Sequence, residues 1–364
     1  MTTTNSSANS GVHGSTGYEF QKHCALYVLL EQYSTLKNNR YFICLEHHED
    51  FLFCFLTAAD LVRSVDSYQA KKASENWGLS AELFDILHKM TNVGIALDID
   101  TMPKDSTYDH SLNFISNHDI KLSIKQKGKL AISDTVNVSR EKVLFTSLKP
   151  EIAKKIRDEI NVLSGSSLIN DSQLTKMSFG FIDLNKSYTK QKQTLIGQFN
   201  LLFGKTVADH SAAVETLLRL FRNAENVLNQ GGIVQLMDKS KRVDYKEINK
   251  AIDVITKEQK AYEFWRSKSD EISKKILISL AEKTKFELAF KNSFDLFKDN
   301  KQVEHQKILK FVNKNRDAFD IHTSDVDCLE ELYNRFMNQQ NTQLKPIDIK
   351  ATLFAAYIEI LDTL

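Results

Sequence analysis

Residues 51–56 read Phe-Leu-Phe-Cys-Phe-Leu, six apolar side chains without a break. A strand with one wet face alternates apolar and polar residues, whereas a strand buried on both faces has no reason to. This run therefore predicts an interior strand of a covered sheet. It is preceded by Glu46-His47-His48-Glu49-Asp50 and followed by Thr57, Ala58, Ala59 and Asp60, a turn region. A second strand candidate spans residues 65–71 and ends in Tyr68-Gln69-Ala70-Lys71. Together the two segments read as a β-hairpin.

The hairpin decides which side chains can meet. A fold between residues 60 and 61 sets Asp50 opposite Lys71, and directly opposed side chains share a face. Side chains alternate along a strand, so Gln69 joins Lys71 on that face and Ala70 points away. A register slipped by one residue would separate them. An acid, an amide oxygen and an ammonium thus converge. The carboxylate and the amide oxygen are hard ligands suited to Mg²⁺, with Mn²⁺ able to substitute. The ion can acidify a bound water, and the lysine can orient that water or steady charge on a phosphate. Asp50, Gln69 and Lys71 are therefore the candidate catalytic residues, and Asp50 and Gln69 the candidate metal ligands.

Plainer readings compete at each position. Asp50 could end a loop, and Gln-x-Lys occurs on many exposed strands. Glu46 and Glu49 fit either acids completing a metal shell or a solvated turn. Glu46 ends an apolar strand, Tyr41 to Leu45, which favours a site role. His47 and His48 are adjacent on an extended segment and point to opposite faces, so they do not make a zinc site.

Three segments taken together resemble a known family: Gly17-Tyr18-Glu19-Phe20-Gln21, Glu46 to Asp50, and Tyr68-Gln69-Ala70-Lys71. They are similar to the PD-(D/E)xK nuclease superfamily, in the form where glutamine replaces the last acid. More narrowly, they resemble the double-stranded DNA endonuclease domain of bacterial anti-phage defence. That domain occurs in CBASS effectors, in the Lamassu nuclease subunit and beside HerA-type ATPases. Asn113 to Asn117 and Phe179 to Gly204 extend the likeness over roughly residues 14–210. The resemblance implies a restriction-endonuclease-like α/β core, a mixed sheet flanked by helices, that cuts double-stranded DNA. It also implies that an acid on the first helix, Glu19, can support the metal. Thr16-Gly17-Tyr18-Glu19 is equally a capping box. Free activity would be toxic, so the resemblance implies a nuclease held off until copies assemble.

The rest of the chain frames this core. Three prolines and 12 glycines in 364 residues favour helix, and 42% hydrophobic residues suffice for a core. The net charge of +1 supplies no global field toward nucleic acid. DNA contact then needs local patches, and Lys121, Lys125, Lys127 and Lys129 form one candidate, alternatively a solvated hairpin about Lys127-Gly128. Cys24, Cys44, Cys54 and Cys328 lack framework spacing, which fits buried thiols in a reducing cytoplasm. No apolar run is long enough for a membrane span. Residues 1–16, rich in Ser, Thr, Asn and Gly, predict a disordered tail.

Strand and helix alternate through residues 17–205: an amphipathic helix over 17–36, strands at 41–46, 50–56, 65–71 and 111–116, and a helix capped by Ser80 that reaches about Met90. From residue 206 to 364 helical periodicity takes over, with one helix expected over Glu271–Phe297 and a closing helix over Pro346–Leu364. This mainly helical C-terminal domain is expected to serve oligomerisation or docking. It carries no glycine-rich phosphate loop, and no Walker motif occurs in the chain. Detection is then expected to reside in partners: an SMC-type ATPase and accessory subunit of a Lamassu-like complex, or alternatively a HerA-type ATPase. The competing functional class is a non-catalytic DNA- or partner-binding adaptor with a nuclease-like fold.

Overall fold

The computed structural model describes residues 10–364 except 48, 126, 129, 166–167, 208, 226–240, 300, 362 and 364. The described chain divides into two compact units. One comprises Met1–Leu202 with His210–Asn249, the other Phe203–Asp209 with Lys250–Leu364.

The first unit opens with α1 (Ser10–Glu31) and the single turn α2 (Tyr33–Leu36). Then come β1 (Arg40–His47), β2 (Glu49–Leu56), β3 (Val62–Lys71), α3 (Ala81–Ile99), β4 (Lys104–Ser116), β5 (Ile120–Ile124), β6 (Ile132–Val136) and β7 (Lys142–Leu144). After them run α4 (Pro150–Ser164), α5 (Leu168–Thr175), β8 (Met177–Phe181), α6 (Tyr188–Phe203), α7 (His210–Glu225) and β9 (Arg242–Asp244). Seven strands form one mixed sheet in the order β7-β8-β4-β3-β2-β1-β9, and β5 and β6 form a separate hairpin. The first three strands are an antiparallel meander, whereas β3, β4 and β8 run parallel. Parallel neighbours need long crossovers, which α3 supplies between β3 and β4.

The apolar run of β2 behaves as its sequence demands. Phe51, Leu52, Phe53 and Cys54 are all buried, between β1 on one side and β3 on the other. Leu52 and Cys54 share a core with Val93 and Leu97 of α3. Phe51 stacks on Tyr68 of β3 with ring centroids 4.7 Å apart. All four cysteines are free and buried.

Several expectations are corrected. The hairpin register differs by two residues: Phe51 pairs with Tyr68 and Leu52 with Ser67. Continuing that ladder sets Asp50 across from Gln69 rather than Lys71. The cause lies in the turn. Thr57 N–H donates to the Leu61 carbonyl at 2.9 Å, Asp60 adopts a φ of 62°, and the register shifts between Phe55 and Leu56. A slip of two preserves the period of two, so Asp50, Gln69 and Lys71 stay on one face. Thr16 does not cap α1, because the helix already begins at Ser10. Nor is α1 simply amphipathic. Lys22, His23, Ala25 and Leu26 are buried beside Phe20 and Cys24, since α1 packs against β2 and β3 and also against α7. The Ser80 hydroxyl does cap α3, accepting from Leu83 N–H at 3.2 Å, but the helix runs on to Ile99. The first unit also takes in α7 and β9, which lie beyond residue 205.

The second unit is helical. It contains most of α8 (Tyr245–Lys275), then α9 (Lys283–Leu296), α10 (Val303–Lys314), α11 (Asp317–Ile321), α12 (Asp325–Gln339) and α13 (Pro346–Leu361). The single helix expected over 271–297 is two. The chain breaks at Leu277, whose φ of 57° ends α8. Ile278 N–H then bonds the Ser273 carbonyl at 2.8 Å, the long closing bond of a Schellman motif. Among the described residues no helix is long and apolar enough to cross a membrane.

Candidate active site

Asp50 stands at the start of β2, where the hairpin meets α1. Its Oδ2 accepts from Gln69 Nε2 at 2.5 Å and from the Ala70 backbone N–H at 2.7 Å. Its Oδ1 accepts from Gln21 Nε2 at 2.8 Å. A carboxylate accepts only, so both glutamines turn nitrogen inward and their amide oxygens away from it. About four lone-pair positions exist on a carboxylate, and three donors leave one, on Oδ1. Burial pushes the Asp50 carboxyl above its ordinary value, and the nearby Lys71 ammonium, the Ala70 N–H and Gln69 pull it back only in part. An approaching cation would favour the charged form again.

The segment after Lys71 is tied down. Ala73 N–H donates to Asn117 Oδ1 at 2.8 Å, Trp77 Nε1 to Ser116 Oγ at 3.1 Å, and Lys186 Nζ to the Ser74 carbonyl at 2.8 Å. Asn113 staples the sheet beneath. Its Nδ2 donates to the Ser67 carbonyl at 3.0 Å, and its Oδ1 accepts from Ser178 Oγ at 2.7 Å and Lys142 Nζ at 3.1 Å. Four strands are thereby locked in register behind the Gln69–Lys71 end. Gln69 itself is buried, so its rotamer is set by packing as well as by Asp50.

The remaining candidates fall into three groups. Glu19 has partners of its own. Arg222 of α7 reaches it with Nε at 3.3 Å and Nη2 at 3.0 Å, and Lys22 Nζ lies 3.4 Å away. Burial works to raise the Glu19 carboxyl, but Arg222 and Lys22 outweigh it and hold the group below its ordinary value. Arg222 also binds Glu215, which accepts from Lys192 Nζ at 2.7 Å. The side chains of Glu46 and Glu49 lie outside the described residues, although their backbones form the facing ends of β1 and β2. Of the lysines, Lys121 is on β5 and pairs with Asp119 at 3.5 Å, Lys125 and Lys127 are exposed about the Gly128 turn, and Lys129 is outside the described residues. Among the described residues no three of His, Cys, Asp and Glu gather to hold a metal ion.

Sequence reasoning missed Gln21 as part of the site. It belongs to the quoted helix segment, but nothing in the spacing announces that a side chain 29 residues upstream would reach Asp50. Arg222 was missed as well, because it lies on a helix assigned to the following domain.

A family described as the Cap4 dsDNA endonuclease domain matches residues 9–226, more than half of the chain. No curated protein matches. Two solved structures are similar at low identity. One is the Moraxella osloensis Cap4 SAVED/CARF-domain containing receptor, at 15% identity and a TM-score of 0.33, covering 65% of this chain and 46% of that one. The other is the Acinetobacter baumannii Cap4 SAVED/CARF-domain containing receptor with the cyclic trinucleotide 3'3'3'-cAAA, at 16% identity and a TM-score of 0.35, covering 65% and 44%. The chain thus spans less than half the length of either receptor. On the strength of the match over residues 9–226, the chain belongs to the Cap4 dsDNA endonuclease domain family.

Proposed function

We propose that this chain is a Mg²⁺-dependent endonuclease that cuts double-stranded DNA as the effector of a bacterial anti-phage defence system, on a restriction-endonuclease-like core of the PD-(D/E)xK type. The observation that carries the reading is the Asp50 carboxylate gripped by Gln69 and Ala70, with the Lys71 charge close enough to act on it. The donor set fits a small hard cation. Asp50 keeps one lone pair on Oδ1, and Gln69 turns its amide oxygen away from the carboxylate. Mg²⁺ is commonly held by one or two carboxylates and keeps several waters, so two protein oxygens are enough. When bound, the ion would polarise a phosphoryl oxygen and make a water more acidic. Asp50 would hold it through a single oxygen, because Oδ2 is filled. Gln69 would hold it through Oε1, while its Nε2 stays on Asp50 Oδ2. Lys71 would orient the attacking water or stabilise the extra negative charge on the pentavalent phosphate. Glu19 could join only by exchanging Arg222 and Lys22 for the cation.

Partners follow from the same reading. The helical unit would serve self-association or docking, and activation would bring copies together so that both strands are cut. A Lamassu-like complex with an SMC-type ATPase is the preferred setting, and a HerA-type ATPase the alternative. The test is plasmid cleavage by the purified chain over a concentration series with Mg²⁺ or Mn²⁺. Cutting should rise steeply with concentration, and Asp50→Ala or Lys71→Ala should lower it by about 10²-fold or more. Cleavage by either variant at the wild-type rate would remove the assignment. Silence of the wild type, alone and with its ATPase partner, would favour an adaptor that only binds.

A further inference from the structure

We infer that Gln21 is the positioning residue of Asp50: its amide on α1 fixes the plane of the carboxylate and thereby aims the last lone pair of Oδ1 at the cation. The inference rests on the nuclease reading above and extends it to a residue outside the hairpin.

Gln69 Nε2 and Ala70 N–H both hold Oδ2, and both belong to β3. Two donors on one oxygen anchor that oxygen but leave the other free to swing. The described donor on Oδ1 is Gln21 Nε2 at 2.8 Å, and it comes from a different element. A contact from a second direction is what converts an anchored carboxylate into an oriented one. The helix can bear that duty, because Phe20 and Lys22 on either side of Gln21 are 1% and 3% exposed. Gln21 itself is half-buried, so α1 does not depend on its amide for packing.

The residue type matters as much as the position. A glutamine donates without carrying charge. A lysine or arginine at 21 would hold Asp50 equally well but would neutralise it and repel a cation. A glutamate would compete for the cation and could not donate while ionised. Only a neutral donor orients the carboxylate and leaves its charge for the metal.

The experiment measures Mn²⁺ binding to the full chain by titration calorimetry without DNA, together with kcat, KM for plasmid and thermal melting. Gln21→Met keeps the volume and removes the donor. It should weaken Mn²⁺ binding by about tenfold or more, as loss of a ligand-orienting partner does elsewhere. kcat should fall with it, while KM for DNA and the melting temperature stay near wild type. Gln21→Asn withdraws the amide by one methylene and should also lose affinity, to a smaller extent. Wild-type Mn²⁺ affinity and kcat in either variant, with both lost in Asp50→Ala, would overturn the role of Gln21 and leave the nuclease reading standing. Wild-type affinity and cleavage in Asp50→Ala would overturn the nuclease reading and this inference together.

Discussion

The two units bury different things. The sheet unit encloses Lys22, His23, Gln69, His110, Asn113, Gln173, Ser178 and Gln191, whereas among the described residues the helical unit buries the polar Lys257, Ser273, Ser293, Lys350 and Thr352. An unpartnered buried polar group costs free energy, so a chain keeps many of them only where they are satisfied or used. In the sheet unit most are cross-linked: Asn113 joins four strands and Gln191 orients His23. The helical unit bonds most of its few buried polar groups as well, and gathers its rings about one residue. Phe354 lies with ring centroids 5.7, 6.2, 5.5 and 5.0 Å from Phe264, Trp265, Phe286 and Phe290. Polar networks fix direction, and apolar packing supplies stability with less directional demand. The sheet unit thus holds its interior with a polar network as well as rings, and the helical unit centres on the rings about Phe354.

The largest test strikes the rings. Phe354→Ala should cost about 3–5 kcal/mol, since it opens a cavity among four aromatic neighbours. The chain has two tryptophans, Trp77 in the sheet unit and Trp265 in the helical unit. In a Trp77→Phe background the remaining fluorescence reports the helical unit during denaturant unfolding. A loss below about 1 kcal/mol would mean that this cluster packs loosely and that the two units differ little in how they are held.

The next test asks whether the sheet unit's buried imidazoles make it the acid-sensitive half. His110 Nε2 meets Gln173 Oε1 at 2.8 Å, and Gln173 Nε2 donates to Asp98 Oδ2 at 2.7 Å, so Nε2 of the neutral ring carries the proton. Asp98 Oδ1 stands 3.5 Å from Nδ1. Burial lowers the His110 pKa, Lys176 lowers it further, and the Gln173 bond, Asp98 and Asp109 oppose without prevailing. The unfolded chain therefore binds the proton first. Stability from His110 is present above the ordinary histidine value of about 6.5 and is lost as pH falls toward its depressed folded value. His23, also lowered by burial, acts in the same direction, and so does His305 in the helical unit. Unfolding midpoints measured from about pH 7 down to about pH 5 should fall for the wild type and fall less for His110→Gln. Equal slopes would show that His110 gains its proton without strain.

How much of this was legible follows the range of each interaction. The doubly buried β2, the cap at Ser80 and the alternation of strand and helix are local, and the sequence displays them. The face shared by Asp50, Gln69 and Lys71 was legible because parity survives an even slip, but the register was not, because Asp60 and the shift after Phe55 absorb residues in the turn. Contacts over long separations left no trace in any pattern. Gln21 reaches Asp50, and Arg222 reaches Glu19 across 203 residues. The composition shift near residue 205 recorded helices replacing strands, whereas the first compact unit also includes α7 and β9 beyond it.

The Arg222 contact can be weighed by breaking it. Arg222 is about three-quarters covered and Glu19 similarly so, with 26% and 28% of their side chains exposed. Their pairing is then closer to a surface bridge than to a buried one. Arg222→Gln should cost about 1 kcal/mol by denaturant titration, because Lys22 still faces Glu19 and Lys192 still faces Glu215. A loss of about 3 kcal/mol or more would mean the site's acid is left buried and uncompensated without α7.

The smallest effect has the opposite sign and falls in the helical unit. Leu277 holds a φ of 57°, a conformation that crowds any Cβ and that helix ends usually assign to glycine. Its side chain is 75% exposed, so little apolar burial is lost when it is removed. Its carbonyl accepts from Lys350 Nζ at 2.6 Å, and the bond from Ile278 N–H to the Ser273 carbonyl closes the turn, both through backbone atoms that glycine retains. Leu277→Gly removes the strain while making the unfolded chain more flexible, two effects of opposite sign. The strain is the larger, about 1–2 kcal/mol against somewhat less than 1 for the entropy, so a net gain of about 0.5 kcal/mol is expected in the midpoint of the helical unit. A loss instead would show that the leucine side chain packs against something in solution, and that this end of α8 is covered ground rather than an open corner.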